Sequence, residues 1–339
     1  LIAIVLVSWW APVAAAFFII LFDTYWLLKT IYLALHLRST FRKLRENMLV
    51  DWLEKLKEGA SMRDPRLARW QEVYHLVILP MYQEPYEVVR ESFESLARSH
   101  YPKEKLIVVL GTEERAGEGR LVAERIQKEF GAHFFKLILT IHPSGLAGEI
   151  PGKGSNESWA AKEAVRTIID PYHLPYENVI VSVFDSDTQV LPEYFGMLTH
   201  QFLMAPRPQR SSFQPIPFFT NNIFSAPALA RVISFSSTFW QMIQQSRPER
   251  LTTFSSHSMP LKALVEVGFW NTNVVSEDSQ IFWQCFLHYD GDWRVVPIFY
   301  PVSMDANVAP TFWGTMRNIY RQQRRWGWGC ENVPYLLYG

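Results

Sequence analysis

From about Val73 onward, short apolar runs alternate with stretches in which apolar and polar residues are mixed. His75–Leu79, Lys105–Leu110, Phe134–Leu139 and Val179–Phe184 read as buried strands. Between them, Tyr86–Ser99, Arg120–Phe130 and Glu157–Ile169 carry the mixed pattern of helices. Strands alternating with helices predict an α/β domain on a doubly wound, mostly parallel sheet. Such sheets bind ligands beyond the carboxyl ends of their strands. The polar clusters of this chain gather at those ends.

The amino-terminal pattern is different. Leu1 to about Leu37 is almost wholly apolar, broken by Ser8, Pro12, Asp23 and Lys29. A helix crosses a bilayer with ~20 apolar residues, so the stretch is long for one span and short for two. It divides into the tail of one helix up to Trp9–Trp10, a turn at Ala11–Pro12, and a full span to about Ile31–Leu37. A signal peptide and a buried soluble helix are the alternatives. Arg38, Arg42, Lys43 and Arg45 follow directly. Positive residues flanking a span stay on the cytoplasmic side, which predicts an integral protein of the plasma or inner membrane with its catalytic domain in the cytoplasm. The division predicted is membrane segment 1–37, basic amphipathic linker helices 38–72, catalytic domain 73–300, and interfacial helices 301–339 leading to a further membrane segment. The chain opens on Leu1 rather than Met and ends on the apolar Val333–Gly339, so it reads as a piece of a longer protein.

Composition narrows the partners. Lys plus Arg and Asp plus Glu both number 33 in 339 residues, without the basic excess of a nucleic-acid surface. The 13 Trp fit membrane interfaces and sugar-stacking faces. Two cysteines, Cys285 and Cys330, make no disulfide framework and suit a reducing compartment.

Five clusters carry chemistry. Asp185–Ser186–Asp187 closes the fourth strand, with Pro192 shortly after. Carboxylates two residues apart beyond a strand can face one hard cation, Mg²⁺ or Mn²⁺, bridging a diphosphate; a helix cap or turn is the plainer use of Asp. Pro80, Tyr82 and Glu84 follow the first strand and can frame a nucleotide with an aromatic face and a carboxylate, or simply stop the strand. Pro151–Asn156, with Lys153, precedes a helix and offers a diphosphate cradle; a flexible capped loop is the alternative. Ser276–Glu277–Asp278 opens a helix over Gln280–Leu287. These acids either complement the helix dipole or supply a base that takes a proton from an acceptor hydroxyl. Last, Gln322–Trp326 lies in a helix from about Thr315 with Arg317, Arg321, Arg324 and Arg325. The arginines suit lipid headgroups or a leaving diphosphate, and Trp326 a sugar face. An interfacial amphipathic helix has the same composition.

In this order, Pro80-x-Tyr82-x-Glu84, Asp185-x-Asp187, Ser276–Glu277–Asp278 and Gln322-x-x-Arg325–Trp326 resemble family 2 glycosyltransferases, most of all the processive membrane branch of cellulose and hyaluronan synthases. Gln214–Phe219 is similar to the segment after the D-x-D in that branch. The resemblance runs from Val73 to Trp328 and implies a GT-A fold and an inverting, metal-dependent transfer. The donor would be a nucleotide sugar, a UDP-sugar above all; the acceptor would be a growing glycan or a lipid-linked molecule, beside membrane lipids. It implies that Asp187 ligates the metal, Asp185 the donor sugar or metal, and Asp278, beside Glu277, acts as base. Gln322, Arg325 and Trp326 would hold diphosphate and acceptor. Two places depart from the pattern. Leu110–Glu114 lacks the paired acids that hold the base, leaving Glu113 or Thr112 in their stead, and Thr253–Pro260 lacks the usual glycines while holding His257. A single-addition transferase and a catalytically silent nucleotide-binding domain are the competing readings.

Overall fold

A computed structural model describes residues 2–62 and 64–338, and the side chains from residue 5 onward. The outermost residues of both predicted membrane-proximal ends, Leu1 and Gly339, lie outside them. In chain order the elements are α1 (Ile2–Trp10), α2 (Pro12–Met48), α3 (Trp52–Ser61), β1 (Tyr74–Pro80), α4 (Tyr86–Arg98), β2 (Leu106–Glu113), α5 (Glu118–Phe130), β3 (Lys136–His142) and α6 (Lys153–Ala164), which runs into a wider turn over Val165–Ile169. There follow β4 (Val179–Val183), β5 (Gln189–Val190), α7 (Tyr194–Met204), β6 (Ser211–Phe218), α8 (Ala228–Gln245), β7 (Ser258–Pro260), α9 (Leu261–Glu266), α10 (Glu277–His288), β8 (Arg294–Ser303), α11 (Phe312–Gly327) and α12 (Asn332–Tyr338).

Among the described residues, eight strands form one sheet in the order β3-β2-β1-β4-β7-β6-β8-β5. The predicted half, β3-β2-β1-β4, is parallel throughout. Beyond it β7 runs antiparallel to both β4 and β6, and β5 antiparallel to β8, while β6 and β8 are parallel. The sheet is therefore mixed, and four of its seven pairings are parallel, as a mostly parallel sheet requires. Three-residue β7 and two-residue β5 are too short to announce a direction in the sequence.

Alternate residues of β1 and β2 serve opposite layers, which is why both strands are continuous apolar runs. Val77, Leu79, Val108 and Leu110 meet Val89 and Phe93 of α4, Ala123 and Ile126 of α5 and Phe195 of α7. Leu76, Ile78, Ile107 and Val109 meet Ala160 and Ala164 of α6, Leu264 of α9 and Ile281 of α10. Trp52 and Leu56 of α3, in the segment read as a linker, are buried in the first of these layers.

The turn at Ala11–Pro12 is present, with Pro12 at the first position of α2, where its missing N–H costs nothing. The helix does not stop near Leu37. It continues through the basic cluster to Met48, because no residue between breaks it. Its apolar part from Phe17 to Leu28 is exposed. Its last turns are fastened to the sheet domain: His36 Nδ1 lies 2.8 Å from Ser246 Oγ, and Asn47 Nδ2 donates to the carbonyl of Phe299 at 3.2 Å. Among the described residues α2 is the one helix long and apolar enough to cross a membrane.

Candidate active site

The site grows from the carboxyl ends of β1, β2 and β4 and the amino ends of α6 and α10. β1 stops at Pro80, whose partner in register is Gly111 of β2. In the turn after it, Glu84 Oε2 accepts from the Tyr82 N–H at 2.6 Å. Tyr82 is partly exposed, and the Arg115 guanidinium lies 5.1 Å from its ring centre. Arg115 also donates to the buried Glu113. A Cβ on Gly119 would stand 1.9 Å from the Tyr82 carbonyl oxygen, so a glycine there lets α5 abut this turn. Pro80, Tyr82, Glu84 and Glu113 thus form one corner.

Asn156 ties α6 to that corner. Its Nδ2 donates to the carbonyls of Gly111 at 2.9 Å and Met81 at 3.4 Å. The helix begins at Lys153 rather than Glu157, and this places Lys153 in the first turn, over the strand ends. Lys153 Nζ donates to Asp185 Oδ1 at 2.6 Å, and Ser255 Oγ donates to Asp185 Oδ2 at 2.7 Å. Ser255 is held in turn by Gln214, whose amide binds the Ser255 carbonyl and the Phe254 N–H. Burial disfavours charge on Asp185, yet Lys153, the two hydrogen bonds and the Arg325 charge together hold its carboxyl below the usual carboxylate range.

Asp187 has no cation of the protein beside it. Its Oδ2 accepts weakly from the Asp305 N–H at 3.3 Å, and its buried Oδ1 has no protein partner. Burial, then the charges of Asp185 and Asp305, push its pKa up to about 8. A carboxylate oxygen left over in a crowded acidic corner suits a hard divalent ion. No three His, Cys, Asp or Glu side chains converge on one point among the described residues. Asp187, helped by Asp185, would hold the ion, and the remaining ligands would come from phosphate oxygens and water.

α10 begins at Glu277, so Glu277 and Asp278 sit in its first turn as expected. A Cβ on Gly154 would stand 3.1 Å from Glu277 Cβ and 3.3 Å from the Asn271 carbonyl, so α6 and α10 meet there with little room. Burial first, and then the Asp278 charge, push Glu277 up to about 7. Burial and Asp185 raise Asp278 as well, while Lys153 and Arg325 pull it back. Burial disfavours charge on Lys153, yet Asp185, Glu157, Glu277 and Asp278 together hold its proton firmly, which makes it the positive centre of the site.

Arg325 is close enough to bias both Asp185 and Asp278. With Arg321, Arg324, Val275 and Trp328 it lines a cleft of about 360 Å³. Gln322 is half-buried and Trp326 exposed on the same helix, α11, which starts at Phe312, capped by Thr311. A larger cavity of about 600 Å³ lies beside the start of β4, lined by Asp170, His173 and Glu266. It shares no residue with the site and lies at the wrong end of the strands for a ligand of this sheet.

Several members of the site were not foreseen. Ser255 and Asp305 act through contacts between segments distant in sequence, as does Asn156, which the sequence placed only in the loop before α6. Glu157, one turn after Lys153, is fully buried with both oxygens unpartnered by protein, and burial with the Glu277 charge raises its pKa well above normal. His257 is a packed residue. It is buried, its Nδ1 is 2.9 Å from the Phe254 carbonyl, and burial lowers its pKa to about 4.

Residues 180–338 match the family described as glycosyl transferase family group 2. That match spans a little under half of the chain and makes its carboxyl-terminal part similar to family 2 glycosyltransferases. The matched part of the chain includes Asp185, Asp187, Glu277, Asp278 and Gln322–Trp326, while Pro80–Glu84, Glu113 and Lys153 lie before it. Its mixed sheet and flanking helices are of the GT-A kind. Three similar solved structures are a Pyrobaculum calidifontis mannosyltransferase with GDP-Man and Mn²⁺, an S. aureus TarS fragment with UDP-GlcNAc, and the Mycobacterium tuberculosis glucosyl-3-phosphoglycerate synthase with Mn²⁺, UDP and phosphoglyceric acid. Identities are 16, 14 and 10%, and TM-scores 0.48, 0.41 and 0.44. The alignments cover 77, 66 and 76% of this chain and 68, 58 and 80% of the other. No curated protein sequence matches the chain.

Proposed function

We propose that this glycosyltransferase is membrane-bound and inverting, and moves a hexose-type sugar from a nucleotide diphosphate, a UDP-sugar above all, to the end of a growing glycan. The observation that carries the reading is the Lys153–Asp185 contact. It brings the D-x-D loop to the amino end of α6, where a diphosphate finds N–H groups and an ammonium.

Pro80, Tyr82, Glu84 and Glu113 hold the nucleoside, and Lys153 and Asp185 orient the diphosphate and donor sugar. A divalent ion at Asp187 would neutralise the diphosphate as it departs, and Arg325 adds a second positive charge there. Asp278 takes the proton of the acceptor hydroxyl. That oxygen bonds to the anomeric carbon from the face opposite the diphosphate, the old glycosidic bond breaks, and the nucleoside diphosphate leaves with the electron pair. A carboxyl raised above its ordinary pKa is the stronger base, and burial with the Asp185 charge supplies that shift. Trp326 and Gln322 hold the acceptor. α2 crosses the membrane, and its basic end from Arg38 keeps the domain on the cytoplasmic side.

The test supplies the protein in membranes with radiolabelled UDP- and GDP-sugars and Mg²⁺ or Mn²⁺. A product of many sugars supports the polymer reading. Single addition to a lipid extract would favour the second reading, a transferase acting on a lipid-linked acceptor. Nucleotide binding with no product from any donor would sink both and leave a silent binding domain.

A further inference from the structure

We propose that Glu331 is a positioning residue: from the segment that follows α11 it holds the amino end of α10, and with it Glu277 and Asp278, in place against the donor side of the cleft. The proposal rests on the base role of Asp278 given above.

The first turn of a helix leaves N–H groups without partners, and a serine at the cap position ordinarily serves them with its own hydroxyl. Ser276 precedes α10 but makes no such bond. Its hydroxyl instead donates to Glu331 Oε1 at 2.5 Å, and its N–H donates to the same oxygen at 3.2 Å. The next residue along, Asn332, donates from Nδ2 to Ser279 Oγ at 2.9 Å. Two consecutive residues thus grip the chain on both sides of Glu277–Asp278, from 55 and 53 positions away.

Stability of α10 alone is a poor account of this arrangement. The turn already holds two acids, so the dipole has its negative partners. A third carboxylate is repelled by them, and Ser276 is able to cap the helix unaided. What Glu331 adds is a tie between the start of α10 and the end of α11, the helix that carries Arg325. The base and the guanidinium that biases it are thereby fixed to one another. Misplacing a reacting group by about 1 Å costs roughly 10²-fold in rate, so a tie of this kind governs turnover more than binding.

The experiment uses the full-length protein in lipid nanodiscs and compares Glu331→Ala, Glu331→Gln and Asp278→Asn with the unaltered protein. It measures turnover and KM with an active donor, the Kd of UDP and of GDP with Mn²⁺, and amide exchange over residues 274–282. Glu331→Ala should lower turnover ten-fold or more, leave KM and nucleotide Kd within two-fold, and speed exchange over 276–282. Glu331→Gln keeps an oxygen that accepts both bonds, so it should restore most of the turnover and the slow exchange. Unaltered exchange in Glu331→Ala overturns the proposal without reference to any donor. Equal losses in the Ala and Gln variants, or a loss of nucleotide binding that matches the loss of turnover, overturn it too. Normal turnover in Asp278→Asn removes the base assignment separately, and the exchange data still report whether the tie exists.

Discussion

Lys153 Nζ and Asp185 Oδ1 lie 2.6 Å apart, joining the first turn of α6 to the loop after β4. The pair sits at a half-open mouth, with 23% of the lysine side chain and 34% of the aspartate exposed, so a ligand can reach both. Replacing Lys153 by Met removes the charge that holds Asp185 ionised and pulls Asp278 down. Nucleotide binding should weaken ten-fold or more, about 1.4 kcal/mol. The pH profile moves in a defined direction. The base works ionised, so turnover falls as pH drops through its pKa; without Lys153 that pKa lies higher, and the acid limb shifts to higher pH. An acid limb unmoved or shifted down would contradict this electrostatic reading.

Asp278→Asn keeps the shape of the side chain and removes its basicity. General-base assistance is worth about 10²–10⁴-fold, so turnover should fall into that range or below detection. Nucleotide Kd, set at the other side of the cleft, should stay within about two-fold on the same principle of separate roles. Normal turnover would show that another group takes the acceptor proton.

Glu157 gives a stability test. Its carboxyl is fully buried and finds no protein partner. Burial, then Glu277, raises its folded pKa far above the ordinary 4.5. The folded state therefore binds more protons than the unfolded chain above pH 4.5, and this group makes stability fall as pH rises from there. Glu157→Gln removes the slope. The variant should melt higher than the unaltered protein at pH 8 and converge with it near pH 4.5. A variant that melts lower at pH 8, with the slope retained, excludes this account.

How much of this was legible follows from the kind of contact involved. β1, β2 and β4 could be read because both faces are buried, so the apolar run is unbroken. Asp185 and Asp278 could be read because a carboxylate straight after a strand or at a helix start is local information. The direction of β7 could not, since a three-residue strand has no pattern, nor could the burial of Trp52 and Leu56, because α3 has many charged residues on its other face. Glu157 reads as a polar helix residue, yet the folded chain buries it beside the Glu277 charge. Ser276 and Glu331 look unrelated at a distance of 55 residues. Pairings of this sort depend on where helices cross, which periodicity does not encode.

Asp187 gives the test of metal use. Burial and the charges of Asp185 and Asp305 push its pKa up to about 8, so near neutral pH it holds a proton that a divalent ion must displace. Ligands bind metals deprotonated, and the displaced proton appears in solution. Mn²⁺ affinity in the presence of UDP or GDP should therefore climb as pH rises toward about 8 and level off above it, where the proton is already gone. Titration calorimetry in buffers of different ionisation enthalpy counts the proton released, which should approach one per ion below that pH. Asp187→Asn should lose ten-fold or more in Mn²⁺ affinity together with the proton release, and chelation should stop turnover of the unaltered protein. An Asn variant that binds Mn²⁺ normally and still releases the proton would place the ion elsewhere.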